Sequence, residues 1–266
     1  MKMLKVICLA VSTAAGMLLT GCVSDMPSDI TLDELEQKMA QAMDPKRDYR
    51  TARAYFQRQN ISEEGLFSTK LQLVEVKFQR PDKFKLSYYN DKNRIVSEVL
   101  CKDGKAWMID HLQGKITPIE GQALEKFRIM LELGHPDTDF DKIFSDVKLS
   151  LTKRMNGKFY YKLVCQPKIP GAHPIIIYID KQTMLPERME LKVKTAAGTI
   201  ESTCNIVEYR KFGNLTLPSL TDVEDGVREY TNRVVDYQLN SGFSGNEFNL
   251  PVFDPVVIES NKILSR

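Results

Sequence analysis

The stretch RIVSEVLCKDGKAWMID, residues 94–110, decides the fold. Its arms, Arg94–Cys101 and Lys105–Asp110, are rich in residues that suit a pleated sheet, and Asp103-Gly104 stands between them. A two-residue hairpin turn of type I′ needs positive φ at both central positions, which Asp tolerates and Gly adopts freely, so this is a β-hairpin. The same pattern extends outward in both directions. Before it, Phe84, Leu86 and Tyr88 alternate after Arg80-Pro81, and Glu64–Gln79 forms a long strand. In that strand Leu71 and Leu73 share one phase and Val74, Val76 and Phe78 the other, a slip that predicts a bulge or sharp bend. After it, Val147–Met155 and Lys158–Gln166 flank Asn156-Gly157, a second hairpin signal, with Val147, Leu149 and Leu151 answering Phe159, Tyr161 and Leu163. Further strands are expected at Pro174–Asp180, Arg188–Lys194, Thr199–Phe212, Leu215–Val223 and Val227–Leu239.

Two segments break this period of two. Thr31 with Glu34 fits a capping box, and Leu32, Leu35, Met39 and Met43 recur at helical spacing until Pro45. Between about Gly121 and Ser145, Leu124, Phe127, Met130 and Leu131 give an amphipathic helix that Gly134 and Pro136 stop, and Phe140, Ile143 and Phe144 give a shorter helical face. Short connections between successive strands argue for an antiparallel meander in one domain with its helices gathered on one face. The expected fold is therefore mainly β (α+β), with more than ten strands, a helix over Thr31–Met43 and a helical insertion between about Glu120 and Ser145 on the same face.

The N-terminus, MKMLKVICLAVSTAAGMLLTGC, places Lys2 and Lys5 before an apolar run from Val6 to Leu19 and ends on small residues and Cys22. That run is short for a bilayer span, which takes ~20 residues, and it reads as a cleaved targeting segment. The ending looks like a lipobox, which implies a diacylglyceryl thioether and an N-acyl chain on Cys22; an ordinary secretory signal or a short anchor helix are the other readings. The division expected is a signal peptide over 1–21, a lipidated tether over 22–30 and a single domain over 31–266. Several acyl chains anchor firmly where one binds marginally, so the domain is expected at a membrane of the cell envelope. The absence of Asp after Cys22, where Val23 stands, favours the outer membrane, with the domain facing the periplasm.

Composition narrows the function. Lys and Arg number 37 against 35 Asp and Glu, a net charge of +2 without a basic block, so no nucleic-acid partner is expected. His111, His135 and His173 lie at no metal-ligand spacing. Asp137-Thr138-Asp139-Phe140-Asp141 imitates a calcium loop, but lysines stand where the glycine and the bidentate glutamate belong, and N-capping by Asp137 or Thr138 explains it better. No phosphate loop, nucleophile elbow or CxxC occurs. No catalytic residue, metal or cofactor is expected. Outside the N-terminal segment, Cys101, Cys165 and Cys204 remain, either as buried thiols or with Cys165 and Cys204 bridged, since both fall on strands.

Three segments carry a resemblance: Gln79-Arg80-Pro81-Asp82-Lys83-Phe84-Lys85-Leu86, Asp103-Gly104-Lys105-Ala106-Trp107-Met108-Ile109-Asp110, and Ile177-Tyr178-Ile179-Asp180-Lys181-Gln182-Thr183-Met184-Leu185-Pro186. In order and spacing they resemble the landmarks of the LolA/LolB-like periplasmic lipoprotein-carrier superfamily, although Leu86 stands where that family has an aromatic residue. The resemblance implies a strongly curved antiparallel half-barrel whose concave face is roofed by helices, with acyl chains held between. Phe84, Leu86, Tyr88, Trp107, Ile109, Leu163, Ile177, Met189 and Leu191 are the candidate cavity lining, or else plain β core. Arg80 matches the arginine that reaches from sheet to lid and holds the cavity closed, or else is a solvated strand-end charge. Phe, Tyr and Met number 12, 10 and 11, an adaptable surface for a flexible ligand. The expected function is a monomeric, membrane-anchored protein binding or transferring lipid or lipoprotein acyl chains. The alternative is an envelope scaffold or stress-sensing protein that uses the same fold to engage a protein partner.

Overall fold

The structure, a computed structural model, describes residues 25–61, 67–136, 138–153, 157–195, 198–224 and 228–253. Cys22, the signal segment and Asn156 of the second hairpin lie outside the described residues. In chain order the elements are β1 (Met26–Pro27), α1 (Leu32–Met43), β2 (Thr51–Ile61), β3 (Phe67–Gln79), β4 (Lys83–Tyr89), β5 (Ile95–Lys102), β6 (Lys105–Asp110) and β7 (Lys115–Ile119). Then come α2 (Gly121–Leu133), α3 (Phe140–Ile143), β8 (Phe144–Lys153), β9 (Phe159–Pro167), β10 (Ile175–Asp180), β11 (Pro186–Thr195), β12 (Gly198–Phe212), β13 (Leu215–Glu224) and β14 (Glu229–Leu239).

All the strands join one open, curved, 14-stranded antiparallel sheet in the order β1-β8-β9-β10-β11-β12-β13-β14-β2-β3-β4-β5-β6-β7. Two meanders, β2 to β7 and β8 to β14, are spliced where β14 pairs with β2, Val234 opposite Phe56 and Tyr237 opposite Ala54. The β5–β6 turn takes the expected form, with φ of 51° at Asp103 and 70° at Gly104. Register follows the alternation of side chains, so Val76, Leu86, Val99 and Met108 share the concave face while Lys77, Lys85, Leu100 and Ile109 share the convex one.

The helices lie in the concavity because their apolar stripes fit the strand residues there. Leu35 and Met39 of α1, Ile129 of α2, and Phe140 meet Leu163, Cys165, Ile177 and Ile179 in the main core. Farther along, Met43 joins Tyr49, Ala52, Phe78, Leu215 and Leu217. The α1 capping box forms as expected, Glu34 N–H donating to Thr31 Oγ1 at 3.2 Å and Thr31 N–H to Glu34 Oε2 at 2.9 Å.

Several expectations are corrected. The β2–β3 register runs unbroken from Gln79 to Leu71, so no bulge separates Leu73 from Val74; these leucines face outward, Leu71 exposed. Register shifts fall elsewhere, for example at Tyr178/Ile179 and Val234/Asp236. Cys165 and Cys204 are free. They sit on β9 and β12, three strand spacings or ~14 Å apart, well beyond the ~7 Å limit for a bridge. Asp139 caps α3 by accepting from Lys142 N–H, and Thr138 instead closes the end of α2; Asp137 lies outside the described residues. The stretch expected as a tether is fastened from Asp25 onward. Lys162 pairs with Asp25 at 2.7 Å, Met26–Pro27 pairs with β8, and Tyr161 donates to Asp29 at 2.9 Å.

After β14 the chain crosses the convex face of β2–β6 as a strap, which the sequence reading did not anticipate. Phe248 is buried on Leu100 and Ile109, with Trp107, Ile116, Phe243 and Phe253 packed around them. Beside this apolar patch, Glu247 accepts from Arg53 at 2.9 Å and from Lys77 at 2.7 Å.

Candidate functional site

Helix α2 is the part of the concave surface that walls off open space. Its stripe of Gln122, Lys126 and Ile129 looks to one side and its stripe of Glu125, Arg128 and Glu132 to the other, as the i, i+3 and i+4 spacing requires. Little in its own sequence stabilises it. Glu120 makes no side-chain cap, the first turn has no acidic residue and the last turn no basic one. A helix of this length is marginal alone, so its position depends on docking. Ile129, 6% exposed, enters the main core. Phe127 meets the ring of Phe84 edge-on at 5.6 Å, and Arg128 donates to the Gly104 carbonyl at the β5–β6 turn. At the far end, Thr138 Oγ1 donates to the carbonyls of Glu132 at 2.7 Å and His135 at 2.8 Å, while the His135 ring stands edge-on to Phe78 at 4.4 Å.

Two cavities flank this helix. The larger, about 590 Å³, has a floor of Phe78, Phe84 and Cys101 and is closed by Ile129, Ile143 and Ile169. Charged side chains of both signs, among them Lys83, Lys142, Glu125 and Glu132, also line it. The smaller, about 380 Å³, lies between α2, the β9–β10 connection and Leu191. Both are lined by Gln122, Ile129, Ile169 and Pro170, which form a partition between them. Both volumes fall within the ~300–1,000 Å³ usual for small-ligand sites. Among the described residues no group of three or more His, Cys, Asp or Glu is placed to hold a metal ion.

The candidate lining residues divide. Phe84 lines the larger cavity and Leu191 the smaller. Leu163 and Ile177 are buried in the main core with Met189 packed against it, so they support the cavity region without lining either space. Leu86 and Tyr88 are on the concave face but away from both cavities; Tyr88 lies under the guanidinium of Arg58, which also stacks on Tyr230 at 4.1 Å and donates to Asn232 at 2.9 Å. Trp107 and Ile109 are placed on the opposite, convex face beneath the C-terminal strap. In β6 their phase alternates with Ala106 and Met108, which take the concave side. The sequence reading missed Ile129, Ile169 and Pro170, the last two because they sit in an aperiodic connection between strands.

Arg80, directly after β3, is half-buried, its backbone N–H donating to the Arg50 carbonyl at 3.0 Å. Burial pushes the Tyr49 phenol well above its ordinary pKa, and the nearby charge of Arg80 opposes that shift. Tyr49 stacks on Phe78 at 5.2 Å, next to His135. Arg80 is thus near Tyr49, whose stacking partner Phe78 meets His135 just beyond the C-terminal end of α2.

No family model matches the sequence, and no curated protein matches it. Solved structures do share its fold. A domain assigned as an outer membrane lipoprotein-sorting protein from Vibrio parahaemolyticus aligns with a TM-score of 0.56 at 13% identity, over 81% of this chain and 95% of that one. A LolA superfamily protein from Nitrosomonas europaea aligns at 0.56 and 11% identity, over 83% and 98% respectively. A DUF1329 family protein from Desulfovibrio piger gives 0.56 and 14%, over 81% and 95%. At these identities the likeness is one of fold.

Proposed function

We propose that this chain, with the LolA-type fold, is a cell-envelope protein that binds or transfers lipid or lipoprotein acyl chains beneath α2. The observation that carries the reading is the larger cavity: apolar side chains of the sheet face a helix that docks through few anchors, so an acyl chain can replace apolar contacts without breaking the core. Acyl chains gain ~0.8 kcal/mol per buried methylene, which suits an apolar space with adaptable walls. In this reading Cys22 is acylated, residues 31–266 form the binding domain and the protein acts as a monomer at the periplasmic face of the outer membrane. With Asp25 paired to Lys162, at most ~10 Å of chain separates an acylated Cys22 from the β8–β9 side of the sheet.

Native mass spectrometry and lipid extraction of protein purified without detergent test the reading. Co-purifying lipid, or stoichiometric uptake of added lipid, is the expected result. A protein that neither retains nor takes up lipid would instead fit the scaffold reading, with an envelope protein as its ligand.

Arg80 is proposed as the residue that biases the roof closed. A ligand can reverse closure only by its differential affinity for the two states, and charge-assisted hydrogen bonds of ~1.5–3 kcal/mol are of a suitable size. Arg80→Leu is expected to raise amide exchange over residues 121–136 by tenfold or more while exchange in β9 and β10 stays unchanged. Equal protection of that segment in both proteins would leave Arg80 as a strand-end charge.

A further inference from the structure

The smaller cavity differs from the larger in its charge. Among the described residues that line it, the ionisable ones are Lys126, His173 and Lys192, with no carboxylate. Lys192 is committed to Glu201 at the surface. Lys126 is half-buried on the flank of α2 that faces this space, its alkyl stem beside the apolar wall and its ammonium able to reach the mouth. His173 is the second pointer: its ring Nε2 is shielded from solvent and makes no hydrogen bond among the described residues. A buried polar atom without a partner is costly and uncommon in native proteins; the ring that carries this one lines the cavity, so a turn of the ring would bring Nε2 to face it. The remaining walls, Ile129, Ile169, Ile175 and Leu191, are apolar.

We infer that this smaller cavity is a head-and-tail site for a single-chain anionic amphiphile, a long-chain fatty acid. The carboxylate accepts from Lys126 Nζ and, once the His173 ring turns toward the cavity it lines, from His173 Nε2–H, and the tail lies along Ile129, Ile175 and Leu191. This deepens the lipid reading above and rests on it. The partition of Ile129, Ile169 and Pro170 limits the site to one chain, and a wall without carboxylates among its described residues selects against a cationic or zwitterionic head, whereas the mixed charges of the larger cavity make no such selection.

The test compares two probes of equal tail length, palmitate and hexadecanol, titrated into the delipidated protein. Palmitate is expected to bind about tenfold or more tightly than hexadecanol, as a charge-assisted contact to an ionised group provides. Lys126→Met keeps the stem and a good helix former but removes the charge; it should remove that preference and leave hexadecanol affinity unchanged. His173→Leu should weaken palmitate in the same direction. Equal binding of the two probes to the native protein, with Lys126→Met without effect, overturns the anionic site and leaves the acyl-binding reading standing. Displacement of palmitate by equimolar dipalmitoyl phosphatidylcholine overturns the single-chain assignment. Failure of both probes to bind overturns the site together with the lipid reading on which it rests.

Discussion

Leu35→Ala is expected to lower the unfolding free energy by about 4 kcal/mol, within the ~2–5 kcal/mol range for such truncations. Leu35 is 0% exposed and sits in the main core, where the α1 stripe, Ile129 of α2 and the strand residues Leu163 and Ile177 come together. Truncation removes the transfer energy of the lost methyl and methylene groups and opens a cavity. Because the surroundings are two helices and a sheet fixed by hydrogen bonding, the site collapses poorly and the cavity term stays large. Chemical denaturation should show a lower midpoint at an unchanged slope, and thermal unfolding a drop of roughly 10 °C for a domain of this size. A loss below 1 kcal/mol would mean that α1 is not seated in the core.

Glu98→Ala has the second large effect, about 3 kcal/mol, at the lower end for breaking a buried ion pair. Glu98 is 2% exposed on the convex face and accepts from Ser87 at 2.7 Å, from Lys85 at 3.0 Å and from His111 at 2.8 Å. Alanine leaves Lys85 and Ser87 facing each other without their acceptor; because Lys85 and His111 retain some contact with water, the lower end of the range applies. Burial raises the Glu98 pKa, but the hydrogen bonds from Ser87, His111 and Lys85 outweigh it and hold the group below its ordinary value of 4.5. A depressed folded-state pKa adds stability above the unfolded value that is lost as pH falls through the folded one. The difference between native protein and variant should therefore be full above about pH 4.5 and shrink below it. A difference that grows on acidification would contradict the network.

How much of this was legible in the sequence depends on which physical signal was local. The Thr31/Glu34 box, the α1 stripe and Asp103-Gly104 are set by neighbouring residues, and each forms as expected. The antiparallel meander with its helices on one face follows from strand order and from the two interruptions of period, whereas the curvature and the roofed concavity were implied by the resemblance. Which face a strand residue takes was less legible. β6 is apolar on both faces, so Lys105–Asp110 alone cannot say whether Trp107 and Ile109 or Ala106 and Met108 turn toward the helices. The decision comes from Phe248, more than a hundred residues later in an aperiodic strap. Leu71 and Leu73 misled for the opposite reason, being apolar residues on an outward face that imitate a change of phase. The cavity walls Ile169, Pro170 and His173 belong to a connection with no period at all, so their role emerges only when α2 is seen docked beside them. Phe84 lies on a strand that alternates cleanly and meets Phe127 of α2.

A crystal structure of the protein with a long-chain acyl ligand brominated near its tail decides whether α2 roofs an acyl-binding space. Anomalous bromine density is expected on the concave side, within van der Waals distance of Ile129 and of Phe84 or Leu191, which line the two cavities beside α2. Bromine found only on the convex face, against Trp107 and the strap, or no bound ligand at saturating concentration, would contradict it.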